Sequence, residues 1–350
     1  MKSKKIKLAF VGAGFIGQLC HIKNYYTNKN CEIIAIAEIK KKLCDLVASK
    51  YSIPNRFYSH EELIKSGLIY DAAIIITKRE STPAIAYDFL KKGISVFTEK
   101  PMALNSKDAQ MLVKITKKNK LIFKVGYNKI YDEGVQYAKK QFDILINNKK
   151  FGDIIYIRAH RFSGTGYANQ SGNIKTNEVD KKIKSWDRCP NWLNKKKYSK
   201  YKSYLNVNSH LINLLLFFLK VNPKVEYSDV DNAKSELVIL NFNKIKTVIE
   251  TKAYKDHSWD EEIVFYFENG YVKINTPPQQ LENISAKITI YNRLDRSINI
   301  VCKENWSWSF KKQSDEFIKD LKSKRMIINS CENSVNDIKV IENIWKNRNI

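Results

Sequence analysis

The chain has 350 residues and a formal net charge of +25, and 43% of its residues are hydrophobic. Its length predicts two domains, and its apolar content, with 12% aromatic residues, excludes a disordered chain. Because lysines are scattered over nearly every polar segment and arginine is scarce, the charge favours a solvated basic surface over a nucleic-acid or membrane partner. Only the short lysine runs 40–42 and 195–197 remain as places for an anionic substrate.

Short apolar runs alternate with amphipathic segments in the first 125 residues. Ser59 and Glu62 have the spacing of a capping box at the start of one helix, and Gly93 suits the end of another. The repeated strand-helix order predicts an open, doubly wound parallel sheet, the Rossmann form of an α/β fold. The runs that we predict to be its buried strands are 6–11, 31–37, 71–76, 95–98 and 121–125.

A glycine-rich turn, Gly12-Ala13-Gly14-Phe15-Ile16-Gly17, follows the first strand. Gly12 permits the tight turn, Gly14 lets the backbone approach a pyrophosphate, and Gly17 lets the helix pack on the strand. About 20 residues later Glu38 ends the next strand, where a carboxylate accepts hydrogen bonds from the ribose hydroxyls and repels a 2′-phosphate. The pattern predicts an NAD site, although the nearby Lys40 and Lys41 leave NADP open.

Lys100 stands between Glu99 and Pro101 at the carboxyl end of a predicted strand. Pro101 disfavours helical geometry at Lys100, so we expect the ammonium on a stiff dipeptide beside the cofactor cleft. A fixed cation there can polarise a substrate oxygen. The alternative is a solvated Glu-Lys pair before a turn.

With the glycine turn, Glu38, Glu99-Lys100-Pro101 and Gly126-Tyr127-Asn128, the chain resembles the Gfo/Idh/MocA family of glucose-fructose oxidoreductase and inositol dehydrogenase relatives. The resemblance covers nearly the full length. It implies bound NAD(P), a sugar-like substrate, and a second α/β domain whose mostly antiparallel open sheet commonly forms the oligomer interface.

We therefore divide the chain into an NAD(P)-binding domain, 1–126, and a substrate-binding and oligomerisation domain, 127–350, whose C-terminal helix can pack back on the first. The residues that we assign to the cofactor are Gly12, Gly14, Phe15, Ile16, Gly17, Glu38, Thr77, Thr82, Glu99 and Lys100.

From about residue 153 strand-like runs with alternating and aromatic content replace the earlier pattern, which suits an antiparallel sheet with one covered face. These runs are 154–162, 237–242, 246–253, 262–267 and 288–291. Between the first and the others, segment 203–213 is predicted to be helical, with Asn206, His210 and Asn213 on one face.

An isolated histidine such as His210 is more often a hydrogen-bonded core residue. Relatives in the family carry a helix resembling D-x-G-x-H-x-x-D, whose histidine and acids lie at the substrate. This sequence has His210 but places Asn206 and Asn213 where acids often stand, and an amide cannot accept a proton at neutral pH. The resemblance implies that His210 is the general base, because imidazole titrates near working pH.

The long stretch 164–202 has few strand or helix signals and carries Trp186, Arg188 and Trp192. It is interpreted equally well as a binding loop or lid and as a loop packed on the domain surface. Aromatic faces and an arginine suit a sugar with an anionic substituent. The residues that we assign to the substrate are Asn128, Arg161, Trp186, Arg188, Asn206 and Asn213.

Other histidines and the cysteines carry weaker signals. Alternation puts His160 and Arg161 on opposite strand faces, so at most one points at the substrate. His21, His60 and His257 are interpreted as surface or structural. The six cysteines form no metal or disulfide spacing, so we expect reduced thiols, no metal and a cytoplasmic location. No run reaches about 18 uncharged apolar residues, so no membrane span is expected.

The predicted reaction is reversible oxidation of a secondary alcohol by a homo-oligomeric enzyme. His210 takes the hydroxyl proton, Lys100 stabilises the developing oxyanion, and the nicotinamide receives the hydride. Two alternatives stay open. One is an enzyme that retains NAD and uses transient oxidation to eliminate a glycosidic substituent. The other is an NAD-binding subunit without catalysis, which the asparagines at 206 and 213 suggest.

Overall fold

The computed structural model describes residues 4–164, 171–179, 183–231, 235–254, 258–302, 306–325 and 330–348. The chain forms two compact units. The first comprises Met1–Tyr127, Ser171–Asn191 and Phe310–Ile338, and the second comprises Asn128–Gln170, Trp192–Ser309 and Lys339–Ile350. The division into domains 1–126 and 127–350 stays a proposal. His257 lies outside the described residues.

The first unit contains a six-stranded sheet in the order β3-β2-β1-β4-β5-β6, and each neighbouring pair is parallel. This is the strand order of a dinucleotide-binding Rossmann domain, so the predicted doubly wound sheet is confirmed. β3 was not predicted, because three residues without an apolar run give no strand signal. The strands are β1 Ile6–Val11, β2 Cys31–Ala37, β3 Asn55–Phe57, β4 Ala72–Ile75, β5 Ser95–Glu99 and β6 Phe123–Gly126.

The helices of this unit follow their strands. A stretch with π-helical turns, Gly17–Ile22, runs into the first α-helix. The predicted helix start at Ser59 is confirmed, because its hydroxyl accepts from Glu62 N at 3.1 Å. Gly93 follows a helix end with a φ of +78°. The α-helices are α1 Lys23–Tyr26, α2 Lys41–Lys50, α3 His60–Lys65, α4 Thr82–Lys91 and α5 Ser106–Lys118.

The second unit contains an eight-stranded sheet in the order β14-β13-β12-β11-β7-β10-β9-β8. Of the neighbouring strand pairs in this sheet, β7 and β10 are parallel and the others are antiparallel. The prediction of a mostly antiparallel sheet is therefore confirmed. β8, β12 and β14 were not predicted. The strands are β7 Ile154–Ser163, β8 Lys224–Asp229, β9 Glu236–Phe242, β10 Ile245–Ala253, β11 Trp259–Phe267, β12 Gly270–Asn275, β13 Lys287–Asn292 and β14 Ser297–Val301.

Two long helices belong to the second unit, α6 Glu133–Asn148 and α7 Tyr198–Leu219. Asp132 caps α6, because its Oδ1 accepts from Gly134 N and Val135 N at 2.8 and 3.1 Å. α7 is longer than the predicted helix 203–213. In the part of the chain that the structure describes, no helix has both the length and the apolar character needed to cross a bilayer.

The chain closes with α8 Ser309–Ser323 and α9 Cys331–Lys346. Phe317 on α8 belongs to the Rossmann core, where its ring lies 5.5 Å from that of Phe97. α8 also supplies Asp320, which forms a buried ion pair with Lys124 of β6. Burial lowers the pKa of Lys124 most strongly, while the bond to Asp320 acts in the opposite direction. This pair joins residues 310–325 to the strands of the first unit.

Replacing one partner of this pair tests how much the pair contributes to the free energy of unfolding. We expect Lys124→Met to lower the free energy of unfolding by about 3 kcal/mol, because the Asp320 carboxylate is left buried without its cation. The double variant Lys124→Met/Asp320→Leu should recover most of that loss. Urea denaturation measures both. A double variant no more stable than Lys124→Met would contradict this account of the pair.

Candidate functional site

A cavity of about 360 Å³ opens at the glycine turn of the first unit. The carboxyl ends of β1, β2 and β4 form its walls, which is the edge where ligands of doubly wound sheets bind. Seven of the residues assigned to the cofactor line it, and they are Gly12, Gly14, Phe15, Ile16, Gly17, Glu38 and Thr77.

The three glycines differ in what surrounds them. Gly12 has a φ of +91°, and a Cβ there would lie 2.2 Å from the carbonyl oxygen of Ile76. A Cβ on Gly17 would lie 2.6 Å from Gly12 O. A Cβ on Gly14, by contrast, would have no described atom within 4 Å. The chain itself therefore requires the first and third glycines, whereas the second leaves the backbone open to a ligand.

Glu38 links two backbone segments at the edge of the cavity. Its Oε2 accepts a hydrogen bond from Ala13 N at 2.7 Å, and its Oε1 accepts one from Lys40 N at 3.1 Å. The carboxylate thus joins the end of β2 to the glycine turn and to the start of α2. Two carboxylate oxygens offer about four acceptor positions, so these two bonds leave room for ribose hydroxyls.

Thr77 and Thr82 act as a pair. Thr77 lines the cavity, and its hydroxyl lies 3.0 Å from that of Thr82 at the start of α4. Thr82 is 2% exposed and is not among the described lining residues. It therefore positions Thr77 rather than facing the cavity.

Glu99 and Lys100, which the sequence also assigned to the cofactor, are not among the described residues that line this cavity. Glu99 Oε1 lies 2.8 Å from Nε2 of the fully buried His21, and its Oε2 accepts from Lys100 N at 3.1 Å. Glu99 consequently fixes the backbone from which Lys100 projects. The peptide bond between Lys100 and Pro101 is cis.

Several lining residues were missed in the sequence, among them Lys78, Ser59, His60 and Ile183. His60 is buried rather than at the surface, and its Nε2 lies 3.1 Å from Asp88 Oδ2. The helix cap at Ser59 was a usable signal, because it places the start of α3 near the carboxyl edge of the sheet. Ile183 had no signal, since it lies about 100 residues further along the chain than any other lining residue.

Ile183 belongs to a segment that we call the strap, residues 171–179 and 183–191, which is part of the first unit and packs on its Rossmann residues. Gln18 holds its early part, because Ile174 N donates to Gln18 Oε1 at 2.8 Å and Gln18 Nε2 donates to Ile174 O at 3.1 Å. Further along, Lys184 pairs with Asp88 at 2.7 Å. The described part of the stretch 164–202 thus both packs on a domain surface and contributes to the cavity.

Trp186 and Arg188, assigned to the substrate, also lie in the strap. The Trp186 ring lies 5.3 Å from that of Tyr87 on α4, and its backbone N donates to Glu80 O at 2.8 Å. The Arg188 guanidinium lies 5.0 Å from the Trp186 ring and 3.3 Å from Asp108. Both side chains therefore pack on residues of the Rossmann unit.

In the second unit, α7 brings Asn206, His210 and Asn213 to one helix face, as predicted. His210 and Asn213 are 5% and 6% exposed. An imidazole so placed is shielded from solvent, and it shares its helix face with two amide side chains that can bind hydroxyl groups.

Arg161 lies on the opposite sheet face from His160, as alternation predicted. His160 Nε2 is 2.9 Å from Asp260, whereas Arg161 Nε is 3.9 Å from Glu261. Glu261 forms an ion pair with Lys129, a residue that the sequence analysis missed. Nothing in sequence distinguishes one buried lysine among 61 basic residues.

This ionic cluster is shielded on one side by an aromatic ring. The Lys129 ammonium and the Arg161 guanidinium lie 5.3 and 5.5 Å from the ring of Trp259. Burial lowers the pKa of both groups, while Glu261 acts to raise it. Asn128 donates to Ser309 Oγ at 2.8 Å and is fully buried. Among the residues described in both units, no group of three His, Cys, Asp or Glu side chains could hold a metal ion.

Comparison with known proteins shows that the first part of the chain matches a family model. Residues 6–127 match the Gfo/Idh/MocA model, an oxidoreductase family with an NAD-binding Rossmann fold. Inositol 2-dehydrogenase of Salmonella typhimurium is 23% identical over 218 residues, which are 60% of this chain and 61% of that protein. The 2,7-anhydro-N-acetylneuraminate hydratase of Mediterraneibacter gnavus is 26% identical over 187 residues, 51% of this chain and 45% of that protein.

The matches to curated relatives are partial. The chain spans 41% of the length of the inositol 2-dehydrogenase of Rhizobium meliloti, at 24% identity over 138 residues and 39% of this chain. Solved structures match over more of the length. A 3-ketoreductase from Actinomadura kijaniata, crystallised with NADP and TDP-benzene, has a TM-score of 0.75 at 13% identity, covering 99% of this chain and 98% of its own.

Myo-inositol 2-dehydrogenase from Lactobacillus plantarum has a TM-score of 0.70 at 15% identity, covering 97% of this chain and 96% of its own. At such identities a structural likeness shows the fold alone. The family model, the curated relatives and the shared fold agree with the resemblance found in the sequence. Over residues 6–127 this chain therefore matches the NAD-binding Rossmann domain of the Gfo/Idh/MocA oxidoreductase family.

Proposed function

We propose that this chain is an NAD(P)-dependent oxidoreductase that transfers a hydride between the nicotinamide and a secondary alcohol of a sugar, sugar acid, cyclitol or nucleotide sugar. The observation that carries the proposal is the cavity at the glycine turn, where Gly14 leaves the backbone open. Helix N–H groups directed at such an opening suit a pyrophosphate. The names of the relatives, inositol 2-dehydrogenase and 3-ketoreductase, support a carbohydrate-like substrate.

In the proposed reaction two side chains act on one substrate. His210 takes the proton of the substrate hydroxyl, and the Lys100 ammonium donates a hydrogen bond to the same oxygen as negative charge develops on it. Bound nicotinamide cofactor supplies the hydride acceptor. Glu99 contributes by holding the Lys100 backbone through its bond to Lys100 N.

The remaining substrate assignments are also proposals. Asn206 and Asn213 bind substrate hydroxyls from the same helix face as His210, and they accept no proton. The negative charge of Glu261, 3.9 Å away, partly offsets that of the Arg161 guanidinium. This supports a role for Arg161 in orienting polar groups of the substrate rather than in attracting a free anion. We keep Asn128 as a substrate contact on the family resemblance, and Trp186 and Arg188 because an aromatic face and an arginine suit a sugar with an anionic substituent.

A second candidate is a reaction with no net redox change, in which transient oxidation leads to elimination or hydration. The hydratase among the relatives favours it. Net formation of NADH with an oxidised sugar supports a dehydrogenase. Release of a product without net NADH supports the second candidate.

We also propose that the chain forms a homo-oligomer in the cytoplasm through the outer face of its eight-stranded sheet. Tyr156, Tyr266, Tyr271 and Tyr291 form a row across this face, with successive ring centroids 6.3, 6.2 and 5.4 Å apart. At the sheet edge Ile298 and Ile300 on β14 are 58% and 56% exposed. A row of aromatic side chains with exposed isoleucines at its end supports association of two copies by the same patch. The six free cysteines support a reducing compartment.

Gly14→Val tests the cofactor assignment. The added side chain meets open space in the protein, so the melting temperature should stay within about 2 °C of wild type. Binding of NAD should weaken by at least about tenfold, because the methyl groups occupy the place of the pyrophosphate. Gly12→Ala is the matched control, since its Cβ would strike Ile76 O and should lower the melting temperature instead. Calorimetric titration of NAD onto Gly14→Val with unchanged affinity would refute the assignment.

Lys100→Met and His210→Asn test the catalytic roles. A thermal-shift screen of cyclitols and nucleotide sugars with NAD first identifies a substrate. With that substrate each variant should lose about 100-fold or more in kcat, since a charge and a proton acceptor are removed. For His210→Asn the NAD affinity should change by less than about threefold. Lys92→Met, on an exposed helix end, is the control. Unchanged turnover in both variants would show that Lys100 and His210 do not have these catalytic roles.

Ile298→Lys/Ile300→Lys tests the self-association surface. Both side chains are exposed, so folding should be preserved while two charges enter the proposed interface. Light scattering after size exclusion should give a smaller mass than for wild type. Ile69→Lys, at a position 85% exposed in the first unit, should leave the mass unchanged. A wild-type mass equal to one chain would rule the proposal out.

A further inference from the structure

The lysine run at residues 40–42 is not used by the proposed reaction. It stands at the start of α2, and the first turn of that helix contains no acidic residue. Positive side chains at a helix N-terminus are unfavourable, because the helix dipole already places positive charge there. The start of α2 thus requires negative charge from elsewhere in the fold.

Two carboxylates supply that charge, one from the residue that follows β2 and one from the strap. Glu38 Oε1 accepts from Lys40 N at 3.1 Å. Glu178, in the strap, accepts from Lys42 N through Oε1 at 3.0 Å and from Leu43 N through Oε2 at 3.1 Å. These backbone donors at the start of α2 are therefore bonded to carboxylates of the protein itself.

Glu178 is held in place and kept ionised. The Thr176 hydroxyl donates to its Oε2 at 2.9 Å. Partial desolvation acts to raise the pKa of Glu178, but the bonds from Lys42 N, Thr176 and Leu43 N and the charge of Lys40 hold it below the ordinary value. At neutral pH this side chain consequently carries a full negative charge.

The position of this charge matters for the cofactor. Glu38, Lys40 and Leu43 all line the cavity at the glycine turn, at the end where the ribose hydroxyls are expected. Glu178 is bonded to the backbone of one of these lining residues. The Lys41 ammonium lies 4.9 Å from the centre of the Tyr58 ring. At least one ammonium group of the lysine run, that of Lys41, thus makes a contact within the protein.

We infer that Glu178 determines cofactor specificity by excluding the 2′-phosphate of NADP, so that the chain uses NAD. Glu38 supplies one negative charge at the ribose, and Glu178 adds a second from the strap. Glu178 is not among the described residues that line the cavity, so it acts on a 2′-phosphate through its charge, and the N–H groups of Lys40, Lys42 and Leu43 are already bonded to the two carboxylates. This inference rests on the proposed NAD(P)-dependent function and narrows it to one cofactor.

Calorimetric titration of NAD and NADP onto the full chain tests the inference. Glu178→Gln keeps the size and one acceptor oxygen but removes the charge. We expect its NADP affinity to rise by about tenfold or more, since a like charge near the phosphate is gone. Its NAD affinity should stay within about threefold of wild type. Glu32→Gln is the matched control, because it removes an exposed carboxylate of β2 and should change neither affinity.

Two further measurements keep the test independent of how well one variant folds. Glu178→Ala should shift the preference in the same direction. In wild type, raising the salt concentration should narrow the preference for NAD, because salt screens the repulsion. A ratio of NADP to NAD affinity in both Glu178 variants no different from that in Glu32→Gln would overturn the inference and leave the proposed function standing. Wild-type protein that binds neither dinucleotide would overturn both.

Discussion

The close contact of the glycine turn with the neighbouring strand ends is the constraint on which the site depends. The Cβ position of Gly12 is 2.2 Å from Ile76 O, and that of Gly17 is 2.6 Å from Gly12 O. A backbone packed this tightly can only be glycine at both points. Because the turn lies against β4, the ends of β1, β2 and β4 surround one cavity, and Gly14 is left facing it.

Charge organises the rim of that cavity. Glu38 bonds to the glycine turn and to α2, and Glu178 bonds to α2 from the strap. Each carboxylate therefore stabilises a helix start and also places negative charge beside the expected ribose. The same side chains that hold the local fold together select against an additional phosphate. In the second unit the ion pair of Lys129 and Glu261 is buried, with Trp259 beside it.

Local patterns predicted the parts of the fold that local physics determines. β1 and β2 begin and end where the apolar runs 6–11 and 31–37 do, because strands buried on both faces need continuous apolar sequence. β3 and β14 escaped prediction because a three-residue strand and an exposed edge strand carry no such run. The helix face of Asn206, His210 and Asn213 was predictable from spacing alone, although the helix extends beyond the predicted ends at both sides.

Contacts between distant segments could not be predicted in the same way. The glycine turn and Glu38 lie close in sequence and form one motif, whereas Ile183 and Glu178 come near the cavity only because the strap packs on the Rossmann residues of the same unit. Lys129 and Lys124 look like any other lysine until the fold buries them. Non-local packing of this kind leaves no periodicity to detect.

A crystal structure of the chain grown with saturating NAD tests the central claim most directly. The account predicts a dinucleotide in the cavity, with its pyrophosphate against the backbone of Gly14 and Phe15 and its adenosine ribose at Glu38. A cavity without a nucleotide at saturating NAD, or NAD bound at another place on the chain, would contradict it.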